Sequence, residues 1–465
     1  MNAQRLSDLA AATAGRLQGA DRNFLRVSAD TRTLAADELF VALRGAHFDG
    51  HDYVAQAGQL GAAGALVERQ LAARLPQVVV ADTRRALGAY AARWRRGFEI
   101  PVVGVTGSNG KTTVKEMIAS ILRQRGDTLA TRGNHNNDIG VPLTLLELGA
   151  QHRAAVIEMG TNHPGEIAYL ASLVAATVAV VTNAGSAHLE ALGSVRGVAL
   201  EKGALFAGLH AGGVAVINAD DEFAPVWREM AGRHEQRSFG LNASADLHPA
   251  ADSLRPLPSG AWEFTLQTPE GAVPVRLSLP GRHNVMNALA AAAAARAAGA
   301  SLGEISAGLA CVPQTHGRLI VLSGLHGCRL IDDSYNANPV SLKAAVEFAV
   351  SLGDPVWLVL GDMGELGAGA AALHAECGEL ARRLGVLQLW TCGSLSRHAS
   401  GKFGTGAEHF GDCEALITAL RGKLRSGISV LIKGSRAMRM ERVVEALRAS
   451  PALAGAASGG CHPCC

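Results

Sequence analysis

Polar and apolar positions along the chain fall into two periods, and the places where one gives way to the other set out its elements. Short apolar runs at 39–43, 65–68 and 78–81 predict strands, and the spacing over 86–94 predicts a helix, together a small α/β unit ending near residue 96. From residue 100 the alternation becomes regular: strand 102–106, helix 111–123, strand 155–159, helix 164–174, strand 178–182, helix 194–209 and strand 214–218. Strands separated by helices imply a mainly parallel sheet covered by those helices. Residues 241–280 switch to a period of two around Pro269-Glu270-Gly271, a hairpin-like insertion ahead of an alanine-rich helix near Asn287. The β/α alternation restarts with strand 329–331, helix 340–350, strands 356–360, 387–391 and 430–433, and helix 437–448, a second Rossmann-like unit. The expected division is 1–96, 97–312 and 313–452, with 453–465 a disordered tail.

Within this pattern one turn carries chemistry. Gly104-Val105-Thr106-Gly107-Ser108-Asn109-Gly110-Lys111-Thr112-Thr113 leaves an apolar strand and enters a helix whose buried face is Val114, Met117, Ile118, Ile121 and Leu122. Its glycines let the backbone curl so that successive N–H groups and the helix N-terminus face an anion. The Lys111 ammonium then reaches terminal phosphates, and Thr112 is placed to bind magnesium. The usual phosphate loop has a glycine five positions before Gly110; Val105 stands there instead, a variant spacing. Phosphate binding alone admits kinases, GTPases and ligases.

Three further residues narrow the choice. Glu158 ends the strand Ala155-Val156-Ile157-Glu158, at the sheet edge where ligands of α/β folds collect, and is either a magnesium ligand or a solvated strand-end acid. His188 follows the next strand end and is either a second group at that edge or a structural histidine. Lys202 shares a helical stripe with Val195, Val198, Ala199, Phe206 and Leu209, so it lies near the centre of an apolar face. A buried ammonium tends to lose its proton, and a neutral amine can take up carbon dioxide to become a metal-binding carbamate. The alternative is a lysine that snorkels past its stripe to water.

Composition bounds the rest. A chain of 465 residues exceeds what one core normally serves. With 48% apolar residues, 18% charged residues and a net charge of +2, it reads as a soluble globular protein without a nucleic-acid footprint. The first 15 residues lack the apolar run of a secretion signal, and 285–300 carries Asn287 and Arg296, so it reads as a packed helix and not a membrane span. The expectation is a cytoplasmic monomer. Cys311, Cys328, Cys377, Cys392 and Cys413 stand at unrelated spacings, as reduced core thiols would. Cys461, Cys464 and Cys465 with His462 lack the second ligand pair of a complete zinc site.

Several segments in order resemble the Mur ligase family. They are Asp30-Thr31-Arg32, Glu38 to Gly45, Asp49-Gly50-His51-Asp52, the phosphate loop, and Gly133-Asn134-His135-Asn136-Asn137-Asp138-Ile139-Gly140. Beyond these come Glu158-Met159-Gly160, His188-Leu189-Glu190, the Lys202 helix, Gly281 to Asn287, Gly317-Arg318, Asp332 to Pro339, Gly361 to Gly367 and Lys433-Gly434-Ser435-Arg436. The Tyr335-Asn336-Ala337-Asn338-Pro339 version is similar to the branch that adds a dipeptide, and no Asp-Asn-Pro-Arg stretch of the diaminopimelate-adding branch is present.

The resemblance implies an α/β fold of three domains: a UDP-substrate domain, a central P-loop parallel-sheet ATPase domain and a C-terminal Rossmann-like domain that closes over the substrates. It implies an ATP-dependent ligase joining D-alanyl-D-alanine to UDP-N-acetylmuramoyl-tripeptide through an acyl phosphate, in peptidoglycan synthesis. By resemblance, Lys111 and the loop around Gly107, Ser108, Asn109, Gly110, Thr112 and Thr113 would hold the ATP phosphates. Thr112, Glu158, His188 and carbamylated Lys202 would position Mg2+, Asn287 would meet the adenine, Arg318 phosphate and Asp333 the nucleotide. Lys111, Glu158, His188 and Lys202 are the implied catalytic set. Asp30, Thr31, Arg32, Arg44, Gly45, Asn137, Asn336 and Asn338 would bind the other substrates. Ala184 and Ser186 depart from the bulkier or more polar residues of many relatives. The alternatives are a sister ligase adding one amino acid, or a nucleotide-binding regulator without catalysis.

Overall fold

The computed structural model describes residues 3–45, 47–186, 188–257 and 260–449. The tail expected at 453–465, with Cys461, His462, Cys464 and Cys465, lies outside the described residues. The chain divides into two compact units, Met1–Pro313 and Gln314–Cys465.

The first unit begins with a five-stranded sheet of β1 (Arg16–Gln18), β2 (Arg26–Ser28), β3 (Glu38–Val41), β4 (Gly64–Val67) and β5 (Gln77–Val79), in the order β1-β5-β4-β3-β2. Only β1 runs antiparallel to its neighbour. β3 and β4 are buried on both faces, which is why each reads as a continuous apolar run. One face has a small core of its own, including Leu34, Phe40, Val54 and Val67. The other merges with the core of the central sheet through α1 (Thr83–Arg95), whose Leu87, Tyr90 and Ala91 pack in one cluster with Leu145, Leu170 and Leu173. At the end of this helix the Trp94 indole donates to the Leu148 carbonyl (3.2 Å) and Arg95 Nε to the Val174 carbonyl (3.1 Å). The chain near residue 96 is thus bonded into shared structure and is no free linker.

The central sheet contains β6 (Val102–Thr106), β7 (Thr128–Ala130), β8 (Ala154–Glu158), β9 (Val178–Val181), β10 (Val214–Asn218) and β11 (Glu235–Phe239). All six are parallel, in the order β11-β10-β9-β6-β8-β7. Because β6 lies between β8 and β9, successive connections leave it in opposite directions, and the crevice beyond its C-terminal end is the switch point of the sheet. Helices α2 (Lys111–Leu122), α3 (Gly140–Leu145), α4 (Glu166–Val174), α5 (Val195–Ala207), α6 (His283–Ala297) and α7 (Leu302–Ala310) cover it. The expected apolar face of α2 is buried throughout, at about 1.5–3 kcal/mol for each large side chain. Alanines 288 and 290–295 of α6 are buried, and small side chains there let α2 pack close. Gly308 of α7 approaches closer still, since a Cβ there would lie 2.4 Å from Ile121 Cα. The antiparallel pair β12 (Trp262–Thr268) and β13 (Gly271–Leu277) is the expected hairpin.

The second unit has a sheet of β14 (Ile320–Ser323), β15 (Arg329–Asp333), β16 (Val356–Gly361), β17 (Val386–Cys392), β18 (Ala407–Phe410) and β19 (Ser429–Lys433), ordered β14-β15-β19-β16-β17-β18 with only β14 antiparallel. Helices α8 (Pro339–Ser351), α9 (Ala370–Arg383), α10 (Cys413–Arg421) and α11 (Glu441–Leu447) connect and cover these strands. The helix expected at 437–448 starts later because Arg439 adopts a left-handed φ of 52°, which interrupts the helical path. Similarly, α5 stops at Ala207, so Leu209 packs from the following turn. Cys311 is exposed and is no core thiol, whereas Cys328, Cys377, Cys392 and Cys413 are buried and free. No described helix is long and apolar enough to cross a membrane.

Candidate active site

Three neighbouring strands, β8, β6 and β9, deliver their C-terminal loops to one edge of the central sheet, and those loops are bonded to one another. Thr106 Oγ1 donates to the Met159 carbonyl (2.8 Å), and the Thr182 N–H donates to the Thr106 carbonyl (2.9 Å). The phosphate loop begins at Gly107 and ends at Gly110, which precedes α2 with φ 81°. Gly107 has φ 150°, and a Cβ there would sit 1.8 Å from Thr182 Oγ1, so no side chain fits. The first N–H groups of α2 have no acceptor within the helix, which makes that end a seat for an anion. Thr112 and Thr113 lie half-buried in its first turn. Lys111 Nζ donates to the carbonyls of Gly107 (2.7 Å) and Ser108 (3.4 Å), folding the ammonium back over the loop.

Not every amide expected to face phosphate does so here. The Ser108 N–H donates to the Asn183 carbonyl (3.0 Å), and the Asn109 N–H to Asn183 Oδ1 (2.9 Å). Asn183 Nδ2 donates in turn to the Asn109 carbonyl (3.1 Å), which also accepts from Thr182 Oγ1 (2.6 Å). The front of the loop is therefore braced by the exit of β9. Opposite, Asn287 on α6 is buried, its Nδ2 donates to Asn284 Oδ1 (2.8 Å), and its Oδ1 lies against Gly110, where a Cβ would come within 2.4 Å.

Glu158 is buried at the end of β8. Its Oε1 accepts from Asn136 Nδ2 (2.8 Å) and its N–H donates to Thr131 Oγ1 (2.9 Å), while Oε2 has no partner among the described residues. Lys202 presents the same condition in a cation. Among the described residues three lysines are buried, and two are provided for. Lys115 meets the Glu116 carboxylate and the Thr131 carbonyl, and Lys433 meets Asp333 and the Asn336 carbonyl. Among the described residues Lys202 Nζ has no hydrogen-bond partner, and burial, reinforced by the nearby Lys111 charge and opposed by that of Glu201, pushes its pKa well below the usual lysine value. The snorkelling alternative is excluded by its complete burial. Its neighbour Glu201 turns the other way, accepting from the N–H groups of Gly165 (2.7 Å) and Ile167 (2.8 Å) at the start of α4.

His188 adopts a left-handed φ of 57° ahead of the short helix Leu189–Leu192. Among the described residues no group of three or more His, Cys, Asp or Glu side chains could hold a metal ion. The donor set fits magnesium nonetheless, because that ion is commonly held by one or two protein carboxylates together with phosphate oxygens and water. The orphaned Glu158 oxygen is one such donor.

The other expected substrate residues fall into separate groups. Arg32 binds Asp30 through Nε (2.9 Å) and Nη2 (2.6 Å), and this pairing holds the Asp30 carboxyl at about 2; Thr31 lies between them. Arg44 pairs with Asp49 (3.4 Å) and Glu68 (3.2 Å), and the Gly45 N–H closes a turn on the Phe48 carbonyl (2.9 Å). Asn137 stands just ahead of α3, its Oδ1 accepting from Gly140 N–H (2.9 Å). In the second unit the Arg318 guanidinium lies 4.2 Å from the Tyr335 ring centroid, and Asp333 is paired with buried Lys433. Asn336 is exposed, and Asn338 caps α8 by accepting from Ser341 N–H (2.9 Å). Sequence reading did not single out Asn136, Thr131, Thr182 or Asn183. Asn136 lay within a segment already noted, and Asn183 carried only its place after a strand end.

Known proteins match this arrangement along nearly the whole chain. Residues 24–95 match the family model described as Mur ligase family, catalytic domain; 105–295 match the Mur ligase middle domain; and 317–436 match the Mur ligase, glutamate ligase domain. The UDP-N-acetylmuramoyl-tripeptide--D-alanyl-D-alanine ligase of Escherichia coli is 47% identical over 95% of this chain and 98% of its own. A crystal structure of MurF from Acinetobacter baumannii superposes with a TM-score of 0.90 at 37% identity, covering 96% of this chain and 98% of that one. The MurF ligase of Thermotoga maritima, solved in complex with ADP, gives a TM-score of 0.80 at 27% identity over 90% of this chain and 96% of its own. The chain belongs to the Mur ligase family, with the three-domain Mur ligase architecture, and within it to the MurF branch.

Proposed function

We propose that the protein is an ATP-dependent ligase that joins D-alanyl-D-alanine to UDP-N-acetylmuramoyl-tripeptide, acting as a monomer in the cytoplasm. The observation that carries this reading is the pairing, at one sheet edge, of a phosphate loop holding Lys111 with a fully buried, unpartnered Lys202 close enough to feel its charge. A phosphate-binding regulator has no use for the second lysine. The names of the relatives supply the substrates.

A carboxylate does not acylate an amine at neutral pH, because oxide would have to leave. In the proposed reaction the tripeptide's terminal carboxylate attacks the γ-phosphorus of ATP, the bond to the β,γ-bridging oxygen breaks, and ADP departs. The D-alanyl-D-alanine amine then attacks the acyl carbon, loses its proton, and the tetrahedral intermediate expels inorganic phosphate. Lys111 and the start of α2 stabilise charge that spreads over the phosphoryl oxygens. Thr112, Glu158, His188 and carbamylated Lys202 are assigned to Mg2+, which when bound would offset phosphate charge. Asn287 is assigned to the adenine, Arg318 to phosphate and Asp333 to the nucleotide. Asp30, Thr31, Arg32, Arg44 and Gly45 belong to the uridine diphosphate end, and Asn137, Asn336 and Asn338 to the peptide substrates. Residues 1–96, 97–312 and 313–452 would divide these tasks among three domains.

The test is phosphate release from ATP and Mg2+ with UDP-N-acetylmuramoyl-tripeptide, comparing D-alanyl-D-alanine with single amino acids. Turnover with the dipeptide and formation of the pentapeptide are expected. Turnover only with one amino acid would move the chain to a sister ligase, and ATP binding without turnover would make it a regulator.

A further inference from the structure

Far from the phosphate loop in sequence, the second unit holds two thiols in contact. Cys392 closes β17, Cys413 opens α10, and their sulfurs lie 3.3 Å apart. Both are buried, at 2% and 5% exposure. The topology brings them together: β17 and β18 are parallel with Cys392 opposite Phe410, and the turn after Phe410 leads to the Asp412 cap of α10, which accepts from Ala415 N–H (2.8 Å). Cys413 is thereby returned to the end of β17.

The two sulfurs are not equivalent. Cys413 lies in the first turn of a nine-residue helix, where backbone N–H groups favour an anion, and Arg442 of α11 lies beside it. The sulfur contact with Cys392, with help from Arg442 and against burial and Asp412, lowers the Cys413 thiol below the ordinary cysteine value. The same contact, together with burial, pushes Cys392 up. The other buried thiols contrast with Cys413: burial pushes Cys377 up to about 12 and raises Cys328 as well.

We propose that Cys413 and Cys392 are a nucleophile and resolving pair that reacts with a small hydroperoxide and closes to a disulfide. The Cys413 thiolate attacks one peroxide oxygen; the S–O bond forms, the O–O bond breaks, and hydroxide leaves. The Cys392 thiol then loses its proton and attacks the Cys413 sulfur, forming the S–S bond as the second hydroxide departs. Two thiols and one hydrogen peroxide give one disulfide and two waters, so the thiols are oxidised and the peroxide reduced. Burial excludes a bulky peptide disulfide, so the reagent has to be as small as a peroxide. The link would fix the exit of β17 just before Leu395 and Ser396, whose N–H groups hold the Asp362 carboxylate at 3.0 and 2.7 Å.

The experiment treats the native full chain with a few equivalents of hydrogen peroxide, blocks remaining thiols by alkylation, and maps peptides by mass spectrometry. A Cys392–Cys413 linked peptide pair is expected, reversed by dithiothreitol, while Cys328 and Cys377 stay as thiols that alkylate only after denaturation. In Cys392→Ser, dimedone should trap a sulfenic acid at Cys413; in Cys413→Ser, Cys392 should stay reduced. The proposal is overturned if both residues remain thiols while exposed Cys311 is oxidised. It is equally overturned if Cys413 links to a tail cysteine, or if the 392–413 link appears only in denaturant. The wild-type map decides the matter even if a variant does not fold.

Discussion

Replacing Asn183 by alanine tests whether the brace on the phosphate loop matters for nucleotide binding. The substitution removes the acceptor of the Asn109 N–H (2.9 Å) and one of two donors to the Asn109 carbonyl, since Thr182 Oγ1 stays at 2.6 Å. The principal loss is one donor left in a half-buried loop without its acceptor, worth about 1–3 kcal/mol. If that energy is needed to hold the loop in its binding form, nucleotide affinity falls by about 5- to 150-fold. Calorimetric titration of ADP, with the unfolding midpoint measured in parallel, reads this directly. A loop that only needs ordering should recover in the fully bound complex, so KM for ATP should rise more than kcat falls.

Asn183→Asp separates bracing from bulk. At neutral pH its carboxylate can still accept from Asn109 N–H, but its second oxygen faces the Asn109 carbonyl where Nδ2 now donates (3.1 Å). Protonation restores the missing donor, so the deficit relative to wild type should shrink as pH falls toward the usual aspartate range, about 4. ADP affinity within twofold of wild type in Asn183→Ala, or a pH-independent deficit in Asn183→Asp, would refute the bracing role.

The same contacts predict the outcome of other perturbations. Glu158→Gln keeps the shape and the Asn136 contact but removes the charge, so turnover should fall at least about 100-fold with little change in unfolding midpoint; Asn136→Ala should fall about 10- to 100-fold, read as a raised Mg2+ requirement. Gly107→Ala places a methyl group 1.8 Å from Thr182 Oγ1 at φ 150°, and should lower stability by about 1–3 kcal/mol in urea and abolish ATP binding, with Thr182→Ala restoring little because the backbone strain remains. Lys202→Met should leave a folded protein without turnover and without response to bicarbonate, whereas wild type should lose activity in carbon dioxide-free buffer and regain it on bicarbonate addition. His374 accepts from Met363 N–H (2.9 Å) and donates to the Ala370 carbonyl (2.7 Å), so it must be neutral; burial lowers its pKa below 6.5, with Asp362 opposing the shift and His398 adding to it. Since the unfolded chain then binds more protons, its contribution holds above pH 6.5 and is lost as pH falls below that, at most about 1.4 kcal/mol per pH unit, a slope that urea titrations should find reduced in His374→Gln.

What could be read from the sequence depended on how many signals coincided. At 102–122 an apolar run, glycines and an amphipathic period agree, and β6 starts and stops where expected, with α2 one residue shorter. β7 has three residues, too short for a period, and β11 is Glu-Gln-Arg-Ser-Phe, an edge strand whose exposed half hides its pattern. The division expected near residue 96 rests on a change of pattern, and Trp94 and Arg95 show that this change does not mark a break in packing. Arg439 turns left-handed with nothing in its side chain to announce it. Asn183 was unreadable for a simpler reason: its partner is 74 positions away, and an asparagine after a strand looks the same whether it meets water or a loop. Lys202 was half-legible, since its stripe gave the burial but not the absence of a hydrogen-bond partner among the described residues.

That absence gives the site its internal logic. Lys115 and Lys433 show that this fold can supply partners to a buried ammonium, so an unpartnered Lys202 beside Lys111 is a positive feature and not a failure of packing. Burial weighs against the charged ammonium, and under the proposed reading a neutral amine there would add carbon dioxide. The carbamate of that reading would, however, be an anion in the same apolar surroundings, and it would persist only if a cation paired with it. A divalent ion likewise gains little from Glu158 alone, whose second oxygen is the one unsatisfied carboxylate position there. Each group therefore lowers the cost of burying the other, and by linkage each must raise the other's affinity. Bound phosphate adds to this by neutralising Lys111, the charge that otherwise repels the ion. Under the proposed reading carbamate, magnesium and nucleotide would therefore assemble together, and a site missing any one of them should hold the other two weakly.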